Sequence, residues 1–247
     1  MSSTFAAVAL NLDRKSISKG IYGYNGVLVG AAIAALGLPG NGVEKFTQAM
    51  AIVLFAILTT ILLWVIKSWW SRNFRCPPLT LPFNLVTWLF LLWAKFVPEF
   101  ASGQQIGTID QGTFLDANSL TTAVFIGFGQ IFLADQLLAG ILIFLAIAYD
   151  TRIGAAIGLT GSIIGLLTGL VLGAKPEDLY MGLWGYNSIL TAIAIGGIFY
   201  VPNLRSYLVA GIAACFTAIT AQITAILLEM LGLPSLTLPF CISTILS

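Results

Sequence analysis

Apolar residues run along this chain in long blocks with brief polar interruptions. The blocks cover residues 5–10, 21–38, 46–66, 81–96, 120–133, 137–149, 153–173, 181–200, 207–231 and 236–246. An eighteen-residue block such as 21–38 makes a helix of about 27 Å, close to the thickness of a bilayer's hydrocarbon. The pattern therefore predicts a helical protein whose blocks span or enter a membrane. The blocks 120–133 and 137–149 are short, and the first is broken by Gly127 and Gly129. Block 153–173 places glycine at 154, 158, 161, 165 and 169, a small-residue stripe suited to close helix packing in lipid. The interruptions are a charged loop at 13–19, a basic aromatic stretch at 67–75, a long polar segment at 97–119, and Lys175-Pro176-Glu177-Asp178.

Two phrases recur within this pattern. Gly20-Ile21-Tyr22-Gly23-Tyr24-Asn25 returns as Gly182-Leu183-Trp184-Gly185-Tyr186-Asn187, offset by 162 residues. Leu79-Thr80-Leu81-Pro82-Phe83 returns as Leu236-Thr237-Leu238-Pro239-Phe240, offset by 157 residues. Two phrases in the same order at nearly one spacing indicate an internal duplication. Proline fits the first turn of a helix, where its missing N–H would have no intrahelical partner. Each Leu-Thr-Leu-Pro-Phe phrase thus reads as a helix start with a threonine hydroxyl just ahead of it. The chain divides into a first repeat over 1–100, an extramembrane linker over 101–119 and a second repeat over 120–247.

Composition supports the membrane reading. Of 247 residues, 58% are hydrophobic and 9% charged, against about 25% charged in an average soluble domain. The net charge of +1 argues against a nucleic-acid partner, which calls for a basic surface. Histidine is absent, and Cys76, Cys215 and Cys241 are widely spaced. That pattern excludes most zinc, haem and copper sites and histidine acid–base chemistry, and it leaves the cysteines as small hydrophobes. No basic n-region precedes the first apolar block, so it is not read as a signal peptide. Six of the eleven basic residues lie in the loops 13–19 and 67–75, which places both loops on the cytoplasmic side. With Lys175–Asp178 outside and Arg205 inside, block 120–133 must enter and leave on one side, as a re-entrant half-helix. The two repeats then have opposite orientation. Inverted repeats with broken half-helices around a central pore are a transporter architecture with the binding site near the midplane. The predicted fold class is an all-α polytopic membrane protein of this kind.

The polar residues beside the expected breaks are Thr80, Thr237, Gln130, Asn25 and Asn187, none of them ionisable. A path lined by hydroxyls, a carboxamide and backbone carbonyls gives an ion nothing to offset its desolvation. A small neutral polar solute exchanges water for such groups at little net change. Tyr24 and Leu28 lie four apart on one helix face, as do Tyr186 and Leu190; paired, they would form a flat slot favouring a planar solute. Taken singly, Tyr24 with Leu28 reads as core packing, a threonine before proline as a cap or back-bonded hydroxyl, and Gln130 as glue between helices. Recurrence of the pairs and of the threonines in both repeats favours the pore reading. Asn25 and Asn187 are read as tying down backbone, and Asp135 as solvated or capping.

At these residues the chain resembles the urea transporter (urea channel) family. The phrases that carry the resemblance are Gly20-Ile-Tyr-Gly-Tyr-Asn-Gly26, Leu79-Thr-Leu-Pro-Phe-Asn84, Gly127-Phe-Gly-Gln-Ile-Phe132, Gly182-Leu-Trp-Gly-Tyr-Asn187 and Leu236-Thr-Leu-Pro-Phe240, running nearly end to end. The resemblance implies a homotrimer in the plasma membrane, embedded in the lipid bilayer, each protomer passing urea passively with no cofactor, coupling ion or catalysis. It implies that Gln130 offers an oxygen at one mouth and that Thr80 and Thr237 face the constriction. Tyr24, Leu28, Tyr186 and Leu190 would form the slot, with Ile131 near its outer end. Gln130 precedes Tyr186 by 56 residues, and the same spacing before Tyr24 falls upstream of Met1; the chain thus resembles an N-terminally truncated member. Ala134-Asp135-Gln136 stands where the family has an Asn-rich, Pro-containing tip. The alternatives are a channel for other small neutral solutes (short amides, ammonia or water) and a non-conducting membrane subunit.

Overall fold

The computed structural model describes residues 1–36, 42–74, 76–96 and 117–247. Nearly all of the expected linker 101–119 lies outside the described residues, as do Pro39-Gly40 and Arg75. The chain forms two compact units, Met1–Ile106 and Gly107–Ser247. Both are built from helices, and no strand occurs among the described residues.

The first unit contains α1 (Ser2–Ala9), α2 (Arg14–Ser18), α3 (Tyr24–Leu36), α4 (Gly42–Asn73) and α5 (Leu81–Ala94). The second contains α6 (Ala117–Gln130), α7 (Leu137–Asp150), α8 (Arg152–Val171), α9 (Pro176–Tyr180), α10 (Tyr186–Ile193), a π-helical turn (Ala194–Phe199), α11 (Leu204–Glu229) and α12 (Leu238–Leu246). Among the described residues, three helical stretches are long and apolar enough to cross a membrane: Lys45–Asn73, Arg152–Val171 and Leu204–Glu229. α3, α5, α7 and the run from α10 through the π turn are shorter apolar helices.

The elements differ from the apolar blocks at identifiable points. Block 21–38 yields a helix only from Tyr24, because Gly20 takes a left-handed φ of 72° and the chain turns before α3. Block 181–200 likewise starts its helix at Tyr186, after Gly182 at φ 68°. The charged loop 13–19 contains α2, capped by Asp13, whose carboxylate accepts from the Lys15 N–H at 3.3 Å and the Ser16 N–H at 2.9 Å. The polar stretch Lys175–Asp178 enters a short helix, since Pro176 opens α9. α4 continues past block 46–66 through Lys67, Trp69, Trp70 and Arg72. Its 32 residues make about 48 Å of helix, longer than the hydrocarbon is thick. The extension carries amphipathic residues that suit a membrane interface, and Trp70 stacks on Phe74 with ring centroids 4.3 Å apart.

Glycine sets the closest approaches in the second unit. A Cβ on Gly140 of α7 would stand 2.0 Å from the Phe125 carbonyl oxygen of α6, and one on Gly129 would meet the Ala134 carbonyl oxygen at 2.3 Å. The return from α6 into α7 is therefore a backbone-to-backbone contact. On α8, a Cβ at Gly161 would stand 2.7 Å from the Ser188 carbonyl oxygen, and one at Gly165 would stand 2.2 Å from that of Trp184. The glycine stripe of block 153–173 thus holds α8 against α10 and the turn before it, as small-residue packing in lipid does.

The duplication extends beyond the repeated phrases. At the 162-residue offset, α1 corresponds to the last turns of α8, so Ser3 matches Gly165 and Gly26 matches Ser188. In the first unit the serine is on α1 and the glycine on α3; in the second the two residue types are exchanged. Ser3 Oγ donates to the Ala56 carbonyl of α4 at 2.8 Å, and Ser188 Oγ donates to the Ala214 carbonyl of α11 at 2.9 Å. One small polar side chain fills each crossing and satisfies its hydroxyl on the long helix, whichever neighbour carries it.

Gly140→Ala is expected to lower stability by about 2 kcal/mol, since α6 and α7 must part to admit the methyl. Gly197→Ala, whose Cβ would have its nearest neighbour at 3.9 Å, should change stability by less than about 0.5 kcal/mol. Thermal unfolding of both variants in detergent checks the difference. Hydrogen bonds from Ser16 hold the Asp13 carboxyl below its usual range. Its contribution to α2 is therefore complete above the ordinary aspartate range and lost as pH falls through the lower, folded value. The hydrogen-exchange protection factor at Ser16, taken against the intrinsic rate at each pH, should fall at acid pH in the parent chain, and Asp13→Ala should lower it already at neutral pH.

Candidate functional site

Each unit contains the same broken-helix arrangement. In the second unit, Leu236 adopts a left-handed φ of 47°, which a branched residue rarely takes. Thr237 follows at φ −99°, ψ 18° as the N-cap of α12, with Pro239 in the first turn. In the first unit, Leu79 has φ 51°, and Thr80 follows at φ −96°, ψ 17° ahead of Pro82 in α5. Both threonines are buried, and neither side chain makes a capping bond. Strained backbone persists only where its surroundings over-determine it, and here the determining contacts are explicit. The Leu236 carbonyl accepts from Tyr186 Oη at 2.6 Å and from Asn187 Nδ2 at 3.0 Å. The Leu79 carbonyl accepts from Tyr24 Oη and, at 3.5 Å, from Asn25 Nδ2.

These bonds extend the roles expected of the four residues. Asn25 and Asn187 tie down backbone, as their chemistry suggests, and the carbonyl they hold is that of the residue before the threonine. Tyr24 and Tyr186 were expected as slot walls; their hydroxyls are donors to the same carbonyls. The left-handed leucines were not identified from the sequence, because leucine gives no hint of positive φ. The signal that could have found them is the co-recurrence of a Tyr-Asn pair with a Leu-Thr-Leu-Pro phrase.

The remaining expected residues of the second unit lie near this break. Tyr186 and Leu190 of α10 pack with Ile131, Phe128 and Ile189 in one apolar cluster, so the four-residue spacing does place them together. Gln130 ends α6, half-buried, and its Nε2 donates to the Met181 carbonyl at 2.8 Å. With the amide nitrogen engaged, the carboxamide oxygen is the end able to accept from a solute. Gln130 is thereby joined to the turn leading into α10, and Thr237 is joined to α10 through Leu236. In the first unit, Leu28 is buried on α3 and Tyr24 is exposed; Tyr24 reaches Thr80 through the Leu79 carbonyl. Asp135, in the turn between α6 and α7, is exposed as expected.

Chemically, the break in each unit offers a threonine, irregular backbone and an aromatic–aliphatic pair, with no ionisable carboxylate or amine among these residues. Such a surface can exchange hydrogen bonds with a neutral polar molecule and gives little to an ion.

Comparison with known proteins gives one consistent result. A family model described as "Urea transporter" matches residues 1–247. Among curated relatives, Urea transporter 1 of Ovis aries and that of Capra hircus are each 34% identical over 251 residues, covering 99% of this chain. Urea transporter 1 of Mus musculus is 32% identical over 252 residues. In each case the match covers 64% of the relative's length, so the chain spans under two thirds of these proteins.

Tyr186→Phe and Asn187→Ala are each expected to cost about 1 kcal/mol of stability. Combined, they should cost more than the sum, because the last side-chain donor to the buried Leu236 carbonyl is then gone. Denaturant unfolding in detergent, read as a double-mutant cycle, checks the coupling.

Proposed function

We propose a function from one premise: the chain belongs to the urea transporter family. It is a channel-type transporter that lets urea move passively down its gradient across a membrane, and it catalyses no reaction. The residues we assign to the path are Thr80, Tyr24 and Leu28 in the first unit and Thr237, Tyr186, Leu190, Ile131 and Gln130 in the second. The inverted orientation of the repeats rests on the loop charges, and the homotrimer and the plasma membrane rest on family membership.

The observation that carries this reading is the doubly built break: a left-handed leucine held by a tyrosine hydroxyl and an asparagine amide, followed by a buried threonine. Such a break presents uncharged hydrogen-bonding groups at membrane depth, where irregular backbone survives only when packed in protein or lining a cavity. Urea is flat and neutral, with N–H donors on one side and a carbonyl acceptor on the other. It can trade its water partners for the threonine oxygens and the Gln130 carboxamide oxygen while its faces lie against tyrosine and leucine. An ion loses hydration worth far more than these groups return. A round polyol presents hydroxyls in all directions and leaves several unpaired against the apolar walls.

Stopped-flow light scattering on proteoliposomes tests the reading. Urea should permeate much faster than glycerol, and Thr80→Val or Thr237→Val should each lower urea flux about tenfold, equivalent to about 1.4 kcal/mol of barrier. Equal rates for urea and glycerol, or unchanged flux in both variants, would refute it.

A further inference from the structure

The two units carry different charge at one matched place. In the first unit, Leu63 of α4 packs with Ala7, Tyr22 and, on α2, Ile17. Lys67 lies one turn further along the same face of α4. Its Nζ stands 5.4 Å from the centre of the Tyr22 ring and within electrostatic reach of Asp13. Arg14, Lys15 and Lys19 of the α2 segment therefore lie beside Lys67, and Arg72 follows about 7.5 Å further along α4. Among the described residues, none of these five cations is in an ion pair with a carboxylate. Asp13, the one acidic residue of 13–19, is engaged with the start of α2, accepting from the Ser16 N–H and from Ser16 Oγ at 2.8 Å. Trp70, on the Lys67 face of α4, donates its indole N–H to the Cys76 carbonyl at 2.9 Å and stacks on Phe74. The stripe Leu63, Lys67, Trp70 and Phe74 thus sets a cation between apolar core and amphipathic rings, as at a membrane interface.

The second unit keeps these elements and drops the charge. At the 162-residue offset, Arg14, Lys15 and Lys19 correspond to Pro176, Glu177 and Met181, and Asp13 to Lys175. Ala56 and Ala214, which take the equivalent serine bonds, set an offset of 158 residues for the long helices. Lys67 and Arg72 then correspond to Ala225 and Met230. α9 stands where α2 stands and has Glu177 and Asp178 in its first turn. The scaffold at this end forms without any of the five cations, so their charge is not what builds it. Unpaired cations gathered at a membrane boundary repel one another unless anions come between them.

We propose that this end of the first unit binds the anionic headgroups of phospholipids, with Lys15 and Lys67 at its centre. Lysine and arginine reach the phosphates while their stems and the Trp70 ring rest against the acyl and glycerol region. A soluble anion has no use for those rings. The loop charges assign this end to the cytoplasmic side, where the leaflet surface is negative. The inference rests on the membrane reading and not on what passes along the path.

The full chain, purified in detergent and stripped of lipid, is titrated with phosphatidylglycerol and with phosphatidylcholine of the same acyl chains. Native mass spectrometry counts the lipid bound. The parent chain is expected to bind phosphatidylglycerol about tenfold or more tightly than phosphatidylcholine. Lys15→Gln combined with Lys67→Gln should weaken phosphatidylglycerol about 25-fold, at about fivefold per cation, and leave phosphatidylcholine unchanged. Lys175→Gln combined with Arg205→Gln removes the same net charge from the second unit and should weaken it by less than about twofold. Lys15→Arg combined with Lys67→Arg should bind as the parent does, which separates lost charge from a damaged fold. Equal binding of the two lipids by the parent would overturn the proposal. So would equal losses in the two glutamine variants, or a loss in the arginine variant. Displacement of the lipid by an equal concentration of inorganic phosphate would overturn it as well, and would make this a soluble-anion site. Urea flux enters none of these readouts, so the outcome stands apart from the transport reading.

Discussion

One carbonyl in each unit organises its surroundings. The oxygens of Leu79 and Leu236 belong to residues with left-handed backbone, a conformation branched side chains avoid. In a soluble loop, water would satisfy such a carbonyl. In a membrane-embedded chain the protein must supply the donors, because an unpaired backbone group in hydrocarbon costs several kcal/mol. A tyrosine hydroxyl and an asparagine amide from the first turn of a neighbouring helix do so in both units. The bonds fix the break, the break fixes the threonine, and Leu-Pro starts the next helix from there.

The same constraint explains why Tyr and Asn recur side by side. Two donors converging on one oxygen need adjacent residues at a helix start, and each start follows a glycine with positive φ. Elsewhere the repeats have diverged while keeping their physics. The exchange of serine and glycine between Ser3 with Gly26 and Gly165 with Ser188 preserves both the close crossing and the hydroxyl-to-carbonyl bond. What is retained at that crossing is a volume and a hydrogen bond, while the residue type at each position is not.

Much of the architecture was legible in the chain itself. Block lengths, the scarcity of charge and the glycine stripe predicted a helical membrane protein, and the recurrent phrases located both breaks. The four-residue spacing of Tyr186 and Leu190 placed them on one face, and the structure gathers them with Ile131. Helix starts were misjudged at residues 21 and 181, because hydropathy does not register a glycine turn that sits within an apolar block. α2 falls in the stretch the pattern gives as a charged loop, and neither it nor α9 is signalled, because such short helices carry no hydrophobic period.

The sequence by itself determined the class of the protein, the duplication within it and the uncharged character of the candidate site, because these follow from composition, periodicity and repeated words. Only the tertiary structure decided which groups satisfy the leucine carbonyls and that Gln130 is anchored on Met181. Those outcomes depend on which backbone atoms come within hydrogen-bonding or van der Waals reach across fifty or more residues of chain. No local pattern encodes that separation; packing alone sets it.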